Sequence, residues 1–248
     1  MGIVEGFTEF LPVSSTGHLI LASNLLKIPD SDFLTSFEIA IQLGAILAVI
    51  ALYPRRLFHD AATIRRVAVA FLPSAVVGLI LYKFIKHTLL GSEAVVVWSL
   101  ALGGAFIIVF ERLHRKMPIQ RSGPGDFSYS KAFWIGVCQA VSVIPGVSRA
   151  AATILGGMAL GLPRKTIVEF SFLLAVPTML AATALDIYNS GASIRGGEWG
   201  LLAAGFIVSF VVATVGIRFL IRFIERHDLT AFGVYRIAVA ILFWLAAR

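Results

Sequence analysis

The stretch Glu5-Gly-Phe-Thr8-Glu9-Phe-Leu-Pro12-Val-Ser14-Ser15-Thr16-Gly-His18 sets two carboxylates, two serines, two threonines and a histidine among residues that are otherwise apolar or glycine. On a helix Glu5 and Glu9 are one turn apart and share a face, with Thr8 beside them. Pro12 breaks such a helix, and Ser14 or Ser15 suits the cap of the next, on which Ser15 and His18 share a face. A second stretch, Pro145-Gly-Val-Ser148-Arg149-Ala-Ala-Ala-Thr153, has the same form: a proline break, a serine at the start of the following helix and a threonine one turn on.

These residue types suit phosphate chemistry. Helix N-termini carry unpaired N–H groups and a partial positive charge, and the planar guanidinium of Arg149 matches phosphate oxygens. Glu5 and Glu9 would repel a bare phosphate. A divalent cation between them and a diphosphate removes the conflict, because Mg²⁺ is typically held by one or two carboxylates together with substrate phosphates.

The elements that position these residues belong to a membrane protein. The chain has 248 residues, 58% of them hydrophobic and 14% charged, against about 25% charged in soluble domains. The single cysteine, Cys138, excludes an intramolecular disulfide. No cleavable signal peptide is expected, since the first residues carry acids rather than a basic n-region. Six apolar segments are long enough to span, at 34–53, 67–86, 94–112, 167–188, 199–220 and 231–247. Residues 1–26 and 131–162 are apolar but broken by proline and small polar residues, the pattern of a re-entrant helical hairpin whose irregular backbone must face a site.

The two broken regions resemble each other. Gly2-Ile-Val-Glu5 lies on Gly136-Val-Cys-Gln139 and Val13-Ser14 on Val147-Ser148; further on, Phe71, Ser74 and Val76 fall against Phe206, Ser209 and Val211. The expected fold is an all-α polytopic membrane protein with six transmembrane spans plus two re-entrant hairpins. It forms one membrane domain over 1–248, made of repeat one (1–113), a linker (114–128) and repeat two (129–248). An odd number of crossings per half makes this an inverted-topology repeat.

Loop charge fits that topology. If 54–66, 112–131, 163–166 and 221–229 face the cytoplasm, thirteen Lys and Arg lie there, among them Arg55, Arg56, Arg115, Lys116, Arg164 and Lys165. Five lie opposite, namely Lys27, Lys83, Lys86, Arg195 and Arg248. The first hairpin then opens to the outer side, and the net charge of +7 needs no nucleic-acid partner. At membrane depth, Arg236 is expected to pair with one of the acids Glu38, Glu169 or Asp186, while Gly103-Gly104 reads as close helix packing.

The two polar stretches, with Phe37-Glu-Ile-Ala-Ile-Gln-Leu-Gly44, Asp126-Phe-Ser-Tyr129 and Glu169-Phe-Ser-Phe-Leu-Leu-Ala-Val-Pro177, resemble the undecaprenyl-diphosphatase family of the bacitracin-resistance type over essentially the whole chain. The resemblance implies a divalent-metal enzyme of the bacterial plasma membrane that dephosphorylates undecaprenyl diphosphate to the monophosphate carrier lipid at the outer face. It implies recycling of that lipid for cell-wall synthesis, with bacitracin resistance as a consequence. Carried over residue by residue, the catalytic set is Glu5, Glu9, Ser15, His18 and Arg149, the metal ligands Glu5 and Glu9, and the substrate-binding set Ser14, Thr16, Ser148, Arg149 and Thr153. The metal is Mg²⁺ or Ca²⁺, the partners are the polyprenyl diphosphate and the bilayer, and a homodimer is compatible with this reading.

The chain departs from the family pattern at Ala150, where the family usually has serine. The second hairpin's first helix starts near Tyr129, whose counterpart falls before Met1, so residues preceding Met1 are expected. Ser15 is the expected nucleophile with His18 or Glu9 as its base, and direct attack by water is the competing route. Broken helices meeting at mid-membrane also occur in secondary transporters, so a carrier or flippase for a lipid phosphate or other anion is the alternative.

Overall fold

The computed structural model describes every residue except 30, 85–87, 90–91, 115–122, 191–197 and 247–248. Lys86, Arg115, Lys116, Arg195 and Arg248 of the charge argument, and half of the 114–128 linker, lie outside the described residues. The helices are α1 (Gly2–Thr8), α2 (Ser15–Leu25), α3 (Asp32–Leu52), α4 (Pro54–Phe58), α5 (Ala61–Phe84), α6 (Glu93–His114), α7 (Tyr129–Ala140), α8 (Arg149–Ala159), α9 (Arg164–Ser190), α10 (Trp199–Ile224) and α11 (Thr230–Ala246). A 3₁₀ turn at Val141–Val143 follows α7. No strand occurs among the described residues.

Five of these helices, α3, α5, α6, α9 and α10, are long and apolar enough to cross a membrane, with mean hydropathy between 1.8 and 2.3. They coincide with the first five segments expected from the sequence. The sixth is α11, which has 17 residues and is about 26 Å long at 1.5 Å per residue. Large apolar side chains such as Leu79, Ile80, Trp98, Leu102 and Leu242 point outward, as they must where the surrounding medium is hydrocarbon. The bundle is organised around α9. Phe170, Phe172, Leu173, Leu174 and Ala175 are each fully buried, so over this stretch the helix is surrounded by protein.

The two broken regions appear as the short helix pairs α1–α2 and α7–α8. Helix α1 packs on α10 and α7 packs on α5, and both contacts depend on glycine. A Cβ on Gly6 would lie 2.6 Å from the Ser209 carbonyl oxygen, and one on Gly136 would overlap the carbonyl oxygen of Ala70. Backbone therefore meets backbone at both places. Prolines interrupt α5 at Pro73 and α9 at Pro177, each removing one backbone donor. Directly after each proline a hydroxyl turns inward: Ser74 Oγ and Thr178 Oγ1 accept from Gln139 Nε2 at 2.9 and 3.1 Å. Gln139, at the end of α7, is 1% exposed and so joins α5, α7 and α9 at the depth where α7 stops.

At the other end of the long helices, Glu111 of α6 accepts both oxygens' worth of hydrogen bonds from Arg164 Nη2, at 2.9 and 2.7 Å, and a further one from Leu229 N at 2.9 Å. This carboxylate is 1% exposed, and it holds the end of α6, the start of α9 and the α10–α11 turn together. On the same side Asp60 caps α5. Its oxygens accept from the Thr63 hydroxyl at 2.8 Å, Thr63 N at 3.1 Å and Arg56 Nη1 at 2.7 Å. The Thr63 hydroxyl above all, then the Arg56 guanidinium, hold this carboxyl down at about 2.

Candidate active site

Helix α1 ends at Thr8, whose hydroxyl donates to Val4 O at 2.6 Å. Glu9 follows at the open end of that helix, and the chain turns through Pro12 to Ser14. Ser14 has φ of 74°, a left-handed conformation that is uncommon outside glycine and marks a constrained turn. Its side chain accepts from Gly17 N at 3.3 Å and so caps α2. Ser148 plays the same part for α8, accepting from Ala151 N at 3.1 Å. The Ser148 hydroxyl also donates to Leu11 O at 3.4 Å, which ties one turn to the other.

The two turns face each other across a cavity of about 200 Å³. From the first turn come Glu9, Ser14, Ser15 and Thr16, and from the second Ser142, Val147, Ser148 and Arg149. Gln42 of α3 and Thr178, Met179 and Ala182 of α9 close it. Both N-termini point into this space, and the first N–H groups of α2 and α8 have no intrahelical acceptor. Two such helix ends facing one space suit an anion.

Three of the expected residues make one connected group. Ser15 Oγ donates to Glu9 Oε2, and Arg149 Nη2 donates to Glu9 Oε1 at 3.0 Å. Arg149 Nη1 donates to the Ser171 carbonyl at 2.8 Å, and its Cζ lies 5.8 Å from the centre of the Phe10 ring. The remaining guanidinium donor, Nε, is buried with no partner. Arg149 itself lines the cavity, and a planar guanidinium there suits the oxygens of a phosphate. The hydroxyl–carboxylate contact is the arrangement in which a serine can lose its proton as it attacks.

Ser14, Thr16 and Ser148 also line the cavity, while Glu5, Thr153 and His18 stand back from it. Glu5 is 2% exposed and lies one turn behind Glu9, outside the wall. Thr153 is fully buried, and its one hydroxyl proton has two acceptors in reach, the Arg149 carbonyl at 2.9 Å and Gln139 Oε1 at 3.2 Å, which ties the first turn of α8 to the end of α7. His18 Nδ1 is 2.7 Å from Ser14 O, and His18 Nε2 is 2.8 Å from the Tyr235 hydroxyl. A carbonyl only accepts, so Nδ1 carries the proton and a neutral His18 takes the Tyr235 hydroxyl at Nε2. Both ring nitrogens are engaged, and Ser15 is partnered by Glu9 instead. Ala150 is buried in the core, away from the cavity wall.

Arg236 was expected beside an acid and is found elsewhere. It is 1% exposed, and its guanidinium donates to four backbone carbonyls: Ser99 and Gly146 at 2.9 Å, Leu100 and Pro12 at 3.4 Å. Pro12 and Gly146 belong to the two turns, so one cation from α11 pins both. Gly103 makes the room for it, since a Cβ there would overlap Arg236 Nη2. Nothing in the spacing of the sequence pointed to this; the cue was a lone arginine in an apolar helix beside a glycine pair on another.

Among the described residues no cluster of three His, Cys, Asp or Glu side chains could enclose a metal ion. Glu9 faces the cavity with its two oxygens engaged by Ser15 and Arg149, and Glu5 lies behind it outside the wall, so a cation there would displace one of those partners and take its remaining oxygens from substrate phosphates and water. Closed coordination by protein alone is not needed for that role.

The family model for bacitracin resistance protein BacA matches residues 1–242. The chain is 48% identical over 243 residues to an undecaprenyl-diphosphatase of Aquifex aeolicus, covering 98% of this chain and 94% of the relative. It is 46% identical over 246 residues to that of Thermus thermophilus, with 98% and 94% covered. With that of Campylobacter jejuni the identity is 42% over 245 residues, with 98% and 91% covered.

Proposed function

The chain belongs to the family of the bacitracin resistance protein BacA, and from that premise we propose that it hydrolyses undecaprenyl diphosphate to undecaprenyl phosphate and inorganic phosphate. It is a multi-pass membrane phosphatase that returns the carrier lipid to cell-wall synthesis and lowers sensitivity to bacitracin. The observation that carries this reading is the Ser15–Glu9–Arg149 group in a cavity lined by two helix N-termini. An anion carrier needs the N-termini and the arginine but has no use for a serine hydroxyl donating to a carboxylate.

In the proposed reaction Ser15 Oγ attacks the terminal phosphorus. The new Oγ–P bond forms as the bridging P–O bond breaks, and the electron pair leaves with the polyprenyl monophosphate. Glu9 takes the serine proton. Water then attacks the phosphoserine, the Oγ–P bond breaks, inorganic phosphate leaves and the proton returns to Ser15. The Arg149 guanidinium and the N–H groups at the starts of α2 and α8 hold the phosphate oxygens as charge develops on them, the kind of fixed electrostatic support on which phosphoryl transfer depends. A divalent cation, Mg²⁺ or Ca²⁺, would be held by Glu9 and Glu5 together with the diphosphate, and would supply charge neutralisation there. Ser14, Thr16 and Ser148 shape the headgroup cavity, and Thr153 ties the first turn of α8 to the end of α7.

The topology that fits this chemistry has six spans, with α11 as the sixth, and two re-entrant hairpins, α1–α2 and α7–α8, in inverted repeats 1–113 and 129–248 joined by 114–128. Support comes from the exchange in which α1 packs on α10 while α7 packs on α5, each on the corresponding helix of the other half. The cavity then opens to the outer side of the plasma membrane. The test is phosphate release from a polyprenyl diphosphate by purified protein, with and without a chelator. Metal-dependent release is expected; tight binding with no release at any metal concentration would contradict an enzyme.

A further inference from the structure

A cavity of about 200 Å³ holds a diphosphate headgroup but not a polyprenyl chain. Where the chain goes is indicated by a second, apolar groove of about 550 Å³. One wall is Leu102, Phe106 and Phe110 of α6; the other is Ala152, Gly156 and Ala159 of α8. The small residues of α8 open the space that the large ones of α6 border.

The groove adjoins the headgroup cavity. Val147 lines both, and in the 3₁₀ turn Ser142 lines the polar cavity while its neighbour Val141 lines the groove. Helix α8 thus serves two chemistries. Its N-terminal end presents Ser148 and Arg149 to the headgroup, and its lateral face continues away from that point as an apolar wall.

We infer that the groove between α6 and α8 is the binding site for the proximal isoprenoid units of the lipid diphosphate, entered past Val147. This rests on the polyprenyl diphosphate reading of the cavity. Helix α8 has 11 residues and therefore runs about 16 Å, which fits roughly three isoprenoid units. Packing against the groove should therefore distinguish tails over about the first three units and not beyond, because further units lie in the bilayer.

The decisive experiment is photo-cross-linking of the purified full chain in nanodiscs. The probe is a polyprenyl diphosphate with a diazirine on its second isoprenoid unit. Adducts are expected on peptides from α6 and α8 around Phe106 and Ala152, reduced by excess unlabelled polyprenyl monophosphate and not by excess phosphatidylglycerol. Adducts confined to α3 or α10, or α6–α8 adducts that phosphatidylglycerol removes equally well, would overturn the inference. As a second measurement, Ala152→Trp should raise KM for a long-tailed diphosphate about tenfold by filling the groove, with less than about a twofold change for isopentenyl diphosphate, which places only one unit at its entrance. Equal effects on both substrates would also overturn it. If no diphosphate releases phosphate, the phosphatase reading fails, while the adduct map still decides what the groove holds.

Discussion

Arg149 Nη2 lies 3.0 Å from Glu9 Oε1, joining residues 140 positions apart at the point where the α1–α2 and α7–α8 turns meet. The pair is 11% and 8% exposed on its two sides, so each charge depends on the other. Replacing Arg149 by Ala leaves Glu9 without its counter-charge and removes the guanidinium from the cavity wall, and kcat for phosphate release should fall by about 10²–10³. Arg149→Lys keeps the charge but loses the fork that reaches Glu9 and Ser171 together, and it should recover only a small part of that loss. Steady-state phosphate release, with a thermal melt to confirm folding, checks both. Full activity in the lysine variant would contradict a geometric role.

Arg236 is predicted to be the costliest single cation to remove outside the cavity. Arg236→Met leaves the Pro12 and Gly146 carbonyls without their donor, and a loss of about 3 kcal/mol is expected. Gly103→Leu should act in the same direction, because its side chain takes the space of the guanidinium. Thermal denaturation in detergent measures this, and an unchanged melting temperature in Arg236→Met would refute the pinning of the two turns.

Glu111 gives an independent test away from the site. Its carboxylate, 1% exposed, serves Arg164 and Leu229 N, and Glu111→Ala should destabilise by about 3–5 kcal/mol. The phosphatase chemistry of protein that remains folded should be little altered. Hydrogen exchange should locate the loosening at the α10–α11 turn.

The Asp60 cap gives a pH dependence. Its carboxyl is held at about 2, against 3.8 ordinarily. The sign follows from the lowered value: the stabilisation is fully present above the ordinary carboxyl range and is lost as pH falls from about 4 towards about 2. Asp60→Ala should cost about 1 kcal/mol at neutral pH. The gap to the parent should narrow through that acid window, as followed by melting temperature against pH. A gap independent of pH would mean that the cap works without its charge.

Much of the site was legible because proline, serine and spacing are local signals. Pro12 with Ser14, and Pro145 with Ser148, marked two helix starts, and the structure brings both to one cavity. Glu5 and Glu9 looked equivalent on a helical face; what separates them is that α1 stops at Thr8, so Glu9 turns to the cavity and Glu5 stays inside. His18 shared a face with Ser15 by spacing, yet its partner is Tyr235, 217 positions away, which no local pattern encodes. Arg236 was expected to seek an acid. It takes carbonyls instead, because two broken turns expose acceptors that the helices no longer satisfy. The five long spans followed from hydropathy alone, while α11 sits near the lower limit of length that hydropathy can recognise.

The most direct test of the account is the contact between Ser15 and Glu9. Rapid-quench mass spectrometry of the protein turning over a polyprenyl diphosphate should find phosphate on Ser15. Phosphate release should fall about 10³-fold or more in Ser15→Ala and by a similar factor in Glu9→Gln, with the double variant little worse than either alone, as for groups acting as a unit. An unmodified Ser15 at every time point, with Ser15→Ala releasing phosphate at the parent rate, would contradict the account.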